Sequence, residues 1–155
     1  MGQKYAIIIF LFGWMFLLFE TPAFAQSISL EQSGSPFSEE GGTASLIART
    51  DLIDIDNDII VNIDFSGDAI VGTDFSTEAN VITISAGNET GSITLTGLSD
   101  DIYEGSETLT ATITSVSGGT ANTGSPDLVS LDIYDDEDLP EVTILASPTT
   151  VGEDI

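Results

Sequence analysis

The segment Glu107–Val116 has the sequence ETLTATITSV. Threonine occupies every even position from 108 to 114, whereas positions 109, 111 and 113 carry Leu, Ala and Ile. Successive side chains of a β-strand point to opposite faces, so this alternation places threonines in solvent and aliphatic side chains against a core. The segment therefore predicts a half-buried strand of an antiparallel sheet.

The same period of two recurs along the chain, and no stretch after residue 26 has a convincing helical period. Turns rich in glycine, such as Gly41-Gly42 and Gly118-Gly119, separate the alternating segments. Short strands at this spacing are typical of a two-sheet sandwich. We predict an all-β, seven-stranded antiparallel β-sandwich, with strands A to G at about 27–37, 43–50, 58–66, 79–85, 91–98, 107–116 and 127–134.

The first 25 residues differ from the rest in composition. An uncharged apolar run, Ala6 to Phe19, follows Lys4 and precedes Ala23-Phe24-Ala25. This order is typical of an export signal cleaved before Gln26, and the run is shorter than the roughly 20 apolar residues that span a bilayer. We predict that residues 1–25 are a cleaved signal peptide and that the protein is extracellular or at the cell surface. A membrane anchor is the alternative.

The chain is strongly acidic. It has 26 Asp and Glu, 2 Lys and Arg and no His, which gives a formal net charge of −24, and Arg49 is the one cationic side chain after the predicted signal. Such a charge repels nucleic acid and destabilises a compact state unless counter-ions bind. Cysteine is absent, so no disulfide framework is available.

A repeat begins near the end of the sequence. Ile28-Ser29-Leu30 matches Val142-Thr143-Ile144, and Ser38-Glu39-Glu40 matches Gly152-Glu153-Asp154 at the same offset. A single shared register indicates a tandem array. We predict a domain at 26–138, and a linker with the first strand of an incomplete second repeat at 139–155.

The order of the strands predicts where the acidic residues meet. If every strand crosses the sandwich, the A–B, C–D and E–F connections and the exit of strand G share one end. That end collects the acidic residues of four separate segments and no cation to pair with them. A calcium ion fits this set best, because it takes six to eight oxygen ligands, whereas magnesium keeps its waters and zinc prefers His and Cys.

Five segments of the sequence then resemble one known family. FSEEGGTASL, GDAIVGTDFS, ISAGNETGSITL, SDDIYEGSETLTATI and LDIYDDED occur in the order of the Calx-beta domain, over residues 27–138 and again from 141. That family includes regulatory calcium-binding domains of sodium/calcium exchangers and repeats of bacterial surface proteins. The resemblance implies an immunoglobulin-like sandwich with a calcium cluster at one end.

The resemblance also implies the ligands. The acidic positions that match those of the family are Glu39, Asp74, Asp100, Asp101, Glu104, Asp135 and Asp136. Glu137 stands where a third aspartate is usual, and we assign Glu107 to the start of strand F. Some members of the family lack the full set and bind no calcium, which leaves a solvated acidic rim as the alternative.

Other signals carry less weight. Asp54, Asp56 and Asp58 alternate in the B–C loop, but the helix-loop-helix calcium motif would need Gly and Glu where Ile59 and Phe65 stand. We interpret this segment as a solvated loop at the opposite end of the sandwich. The chain has no Ser-His-Asp or Cys-His set and no phosphate-binding glycine loop, so we do not expect an enzyme.

These observations favour an exported calcium-binding repeat of a surface or secreted adhesion protein, in which calcium stiffens the acidic end and the linker. Its expected affinity is weak, on the order of 10⁻⁴ to 10⁻³ M, as for other extracellular modules. The expected partners are calcium ions, neighbouring repeats, and other surface proteins or glycans. The alternatives are a metal-independent acidic spacer and a non-catalytic accessory module of a secreted enzyme.

Overall fold

A computed structural model describes residues 25–100, 102–135 and 142–144. These residues form two five-stranded sheets that pack face to face, which confirms the predicted all-β sandwich. Most of the predicted signal peptide, the linker and most of the second repeat lie outside the described residues. Within the described part of the chain, no helix is long and apolar enough to cross a membrane.

The described residues contain ten strands rather than seven. They are β1 (Ser27–Ser33), β2 (Phe37–Ser38), β3 (Thr43–Thr50), β4 (Ile59–Gly67), β5 (Phe75–Thr77), β6 (Val81–Ile84), β7 (Thr90–Gly97), β8 (Ser106–Ser117), β9 (Asn122–Thr123) and β10 (Leu128–Tyr134). The first sheet has the order β5-β7-β3-β1-β9 and the second β2-β10-β8-β4-β6. The three additional strands are β2, β5 and β9, each of two or three residues.

The predicted strand A is divided between the two sheets. β1 pairs antiparallel with β3, whereas β2 pairs parallel with β10. The break falls at Gly34, whose φ is 95°, and at Pro36, which has no N–H to donate to a ladder. β1 also pairs parallel with β9, so the sandwich is not wholly antiparallel.

The core consists of the inward-facing side chains of both sheets, and it forms two clusters. The larger cluster includes Ile28, Leu46 and Val61 at one end of the sandwich. The smaller cluster lies at the other end and consists of Phe37, Ala44, Ala69, Phe75, Leu95, Leu109, Leu131 and Ile133. Phe65 packs against both clusters, and its ring meets that of Phe75 edge to face at a centroid distance of 5.7 Å.

The smaller cluster supports the acidic end of the sandwich. Glu39 follows Phe37 by two residues, Asp74 directly precedes Phe75, and Glu107 precedes Leu109 by two. Each of these apolar side chains is at most 3% exposed. The carboxylates are therefore carried on backbone that the core holds in place.

Replacing Phe75 with alanine should lower the free energy of unfolding by about 3–5 kcal/mol, because it removes a fully buried ring and leaves a cavity. Urea unfolding would measure this loss. The control is Ile55→Ala, which changes a side chain that is 76% exposed and should stay within about 0.5 kcal/mol of wild type. Equal, small effects of both substitutions would show that Phe75 does not anchor this end.

Candidate metal centre

Four carboxylates from three different connections converge at the end of the sandwich above the smaller core cluster. One oxygen from each of Glu39, Asp74, Glu104 and Glu107 lies within 4.8 Å of the others. Glu39 lies between β2 and β3, Asp74 directly before β5, and Glu104 and Glu107 around the start of β8. The structure therefore brings the A–B, C–D and E–F connections together at one end of the sandwich, as expected.

Backbone hydrogen bonds hold Glu39 at the sheet edge. Its N–H donates to the Tyr134 carbonyl at 3.1 Å, and its own carbonyl accepts from the Gly41 N–H at 2.7 Å. The residue is only 5% exposed. The turn thus directs a carboxylate into the sandwich end instead of into solvent.

Asp74 is fixed by a small loop of its own. Its Oδ2 accepts from the Ile70 N–H at 2.6 Å, and its N–H donates to the Ile70 carbonyl at 3.0 Å. Its carbonyl accepts from the Leu98 N–H at 2.9 Å, which ties the loop to the end of β7. Asp74 is 4% exposed, so this carboxylate is also buried.

Glu107 is the member of the cluster that the sequence interpretation missed. It does open β8, as assigned, but its half-buried side chain also enters the group of four. The signal was present in the alternation, because Glu107 shares its strand face with Leu109 and Ala111, which are fully buried. A charged residue on the inward face of a strand indicates a functional site more strongly than a charged residue on a loop.

Crowding and burial raise the pKa of two of these groups. Burial raises the pKa of Glu39 to about 7, with further contributions from the negative charges of Asp135, Asp74, Glu107 and Glu104. Burial likewise raises the pKa of Glu107 to about 7, followed by the charge of Asp74 and a hydrogen bond with it, and by the charges of Glu104 and Asp68. Both glutamates thus hold protons more tightly than an ordinary carboxyl group because the charged forms are unfavourable here.

Two carboxylate oxygens in this group are buried without a hydrogen-bond partner among the described residues, Oε1 of Glu39 and Oε2 of Glu107. Buried polar atoms are nearly always paired, so an unpaired one needs an explanation such as an unseen ion. No Lys or Arg within the described part of the chain pairs with these oxygens. Arg49, the one Lys or Arg among the described residues, binds Glu31 and Glu89, each at 2.6 Å.

The other predicted ligands have different surroundings. Asp100 is exposed, and its Oδ1 accepts from the Ile102 N–H at 2.7 Å. Asp135 lies beside the cluster, where its Oδ2 accepts from the Glu104 N–H at 2.6 Å and its charge contributes to the raised pKa of Glu39. Asp101 and Asp136 lie outside the described residues.

The acidic B–C loop has a structural role at the opposite end of the sandwich. Oδ1 of Asp54 accepts from the N–H groups of Asp56 and Asn57, both at 2.9 Å, and these bonds lower the pKa of Asp54. Oδ1 of Asp58 accepts from the Ala86 N–H at 2.8 Å. These carboxylates are occupied in shaping the loop, in agreement with its interpretation as a solvated loop.

The cluster of four has the donor set and spacing of a calcium site. All four ligands offer oxygen, and calcium binds oxygen at 2.3–2.6 Å, so two oxygens on one ion lie at most about 5 Å apart. The separations between the four oxygens, all within 4.8 Å, fall below this limit. An ion there would supply a partner for buried oxygens of Glu39 and Glu107 and offset the burial and repulsion that raise both pKa values.

Residues 23–137 match the Calx-beta domain family. No curated protein sequence is significantly similar to this chain. Among solved structures, the fold resembles CBD12 from CALX1.2, with 18% identity, a TM-score of 0.58, and coverage of 71% of this chain and 44% of that one.

The fold also resembles the apo-form Calx CBD1 domain, with 18% identity, a TM-score of 0.57, and coverage of 74% of this chain and 100% of that one. The calcium binding domain CBD12 of CALX1.1 is similar at 20% identity, with a TM-score of 0.57 and coverage of 71% and 44%. The chain thus spans less than half of the two CBD12 chains. Because the family match covers most of the sequence, the chain belongs to the Calx-beta family of calcium-binding β-sandwich modules.

Proposed function

We propose that this protein binds calcium at the end of its sandwich, through Glu39, Asp74, Glu104 and Glu107. The observation that carries the proposal is the pair of buried carboxylate oxygens, one on Glu39 and one on Glu107, that have no hydrogen-bond partner among the described residues. Arg49, the one Lys or Arg of those residues, is bound to Glu31 and Glu89 instead. Asp100, Asp101, Asp135 and Asp136 remain predicted ligands, which would complete the six to eight oxygens that calcium takes.

Calcium suits these residues better than the other common divalent ions. Magnesium demands near-ideal octahedral geometry at 2.0–2.1 Å and usually keeps several waters, so it gains little from a group of four carboxylates. Zinc favours His and Cys, and the chain contains neither. The ion would act by offsetting charge and by tying the three connections to one point.

A bound ion would also stiffen the exit of the domain. The Asp135 carboxylate accepts a hydrogen bond from the Glu104 N–H, so the E–F connection that carries Glu104 is joined to the residue that follows β10. The segment at 139–155, predicted to be a linker and the first strand of a second repeat, begins only a few residues later. We infer a non-catalytic repeat of a surface or secreted adhesion-type protein, in which calcium sets the angle between neighbouring repeats. Surface proteins or glycans are the further partners that this role would require.

Glu39→Gln and Glu107→Gln should each abolish most of the stabilisation that calcium gives. With a Kd near 10⁻⁴ to 10⁻³ M, 10 mM calcium should stabilise the wild-type protein by about 2 kcal/mol, or raise its melting temperature by roughly 10 °C. In chelator the two variants should melt no lower than wild type, because each removes a buried charge while nearly keeping its shape. Thermal melts in calcium, in magnesium and in chelator provide the measurement.

Asp56→Asn is the matched control, since it removes one carboxylate at the opposite end and should leave the calcium shift intact. A passive acidic spacer would instead show the same small shift in calcium and in magnesium at equal ionic strength. A calcium shift that survives both glutamate substitutions would place the ion elsewhere.

Export is the second part of the proposal, and the uncharged run before Ala23-Phe24-Ala25 supports it. Protein recovered from the culture medium or cell surface of an expressing host should begin at Gln26. Intact mass and N-terminal sequencing would measure this. Full-length protein that keeps Met1 in a membrane fraction would be the opposite result.

A further inference from the structure

Strand β7 has a glycine near each end, and each glycine touches the second sheet. A Cβ built on Gly97 would overlap the Ser38 carbonyl oxygen and lie 2.7 Å from the Cα of Glu39. A Cβ built on Gly91 would overlap the Thr83 carbonyl oxygen in the same way. Neither glycine has a positive φ, so both positions require glycine for space and not for backbone conformation.

Gly97 lies where the supports of two candidate ligands meet. Its N–H donates to the Gly42 carbonyl at 2.9 Å, which joins it to the turn that carries Glu39. The N–H of the next residue, Leu98, donates to the Asp74 carbonyl at 2.9 Å. The end of β7 therefore contacts the Glu39 turn on one side and the Asp74 loop on the other.

The Glu39 turn is the element that would yield to a side chain at this position. β2 has only two residues, lies at a sheet edge and pairs only with β10. β7 is longer and pairs with β3 on one side and β5 on the other. A methyl group on residue 97 would thus displace Ser38 and Glu39 away from Asp74.

We propose that Gly97 is a positioning residue for the calcium site, because its bare backbone lets Glu39 approach Asp74, Glu104 and Glu107. The inference rests on the proposed function, and it concerns a residue that offers the ion no side chain. The unpaired Oε1 of Glu39 is independent support for this role. The contact with Gly97 helps to bury a carboxylate oxygen that has no hydrogen-bond partner among the described residues, which is unfavourable unless a cation binds there.

The test compares Gly97→Ala with Gly91→Ala in the whole protein, by calcium titration calorimetry and by melting in chelator. Both variants should melt below wild type, because both force a methyl group against a backbone carbonyl. Only Gly97→Ala should weaken calcium binding, by roughly tenfold or more, because substitutions of residues that support metal ligands commonly have effects of this size. Gly91→Ala should bind calcium with the wild-type Kd. Equal Kd values for the two variants would overturn the proposal.

Two further measurements keep the proposal testable. If Gly97→Ala does not fold, Gly42→Ala replaces it, because a Cβ on Gly42 would lie 2.6 Å from the same Ser38 carbonyl oxygen and should weaken calcium binding in the same way. In calcium-free crystals, Glu39 should be displaced from Asp74 in Gly97→Ala and not in Gly91→Ala. If Glu39 keeps its wild-type position in Gly97→Ala, the positioning role is refuted, whether or not the wild-type protein binds calcium. If the wild-type protein binds no calcium, the proposed function is refuted.

Discussion

Repulsion among buried carboxylates is the constraint on which this end of the molecule depends. Glu39 and Asp74 are almost fully buried beside Glu104 and Glu107, and the one cation of the described chain is bound elsewhere. Two like charges 4 Å apart repel by about 4 kcal/mol at an effective dielectric of 20. The protein can lower this cost by holding protons, which the raised pKa values of Glu39 and Glu107 reflect, or by binding a cation.

The sandwich tolerates this repulsion because its core fixes the backbone that carries the carboxylates. The residues Phe37, Phe75 and Leu109 are buried in the smaller core cluster. They lie one or two positions along the chain from Glu39, Asp74 and Glu107. At the opposite end, the carboxylates of Asp54 and Asp58 in the B–C loop accept hydrogen bonds from backbone N–H groups. The two ends thus use the same residue types differently. Asp54 and Asp58 bind backbone N–H groups of their own end, whereas Glu39 Oε1 and Glu107 Oε2 are buried without a hydrogen-bond partner among the described residues.

The strands were largely predictable from the sequence, because an alternation over seven or more residues has few interpretations. β5 and β9 were not predicted because two or three residues show no period. The predicted strand A extends too far, because it runs past the break at Gly34 and Pro36 to Phe37, which is buried but out of phase with Ile28 and Leu30. Strand order also brought Glu39, Asp74 and Glu104 to one end. It did not distinguish Glu107, which is half-buried in the cluster, from Asp100, which is exposed and caps its own loop. The alternation of β8 places Glu107 on the inward face, but only the packing between the sheets brings its side chain into the cluster.

Calcium titration of the wild-type protein at pH 7, in two buffers with different enthalpies of ionisation, tests the central claim most directly. Ligands must lose their protons to bind a metal, and Glu39 and Glu107 have pKa values raised to about 7, so they are partly protonated at this pH. The account predicts saturable binding with a Kd on the order of 10⁻⁴ to 10⁻³ M, accompanied by proton release that diminishes as the pH is raised above 7. The absence of saturable binding up to about 10 mM calcium, or binding without any proton release at pH 7, would contradict it.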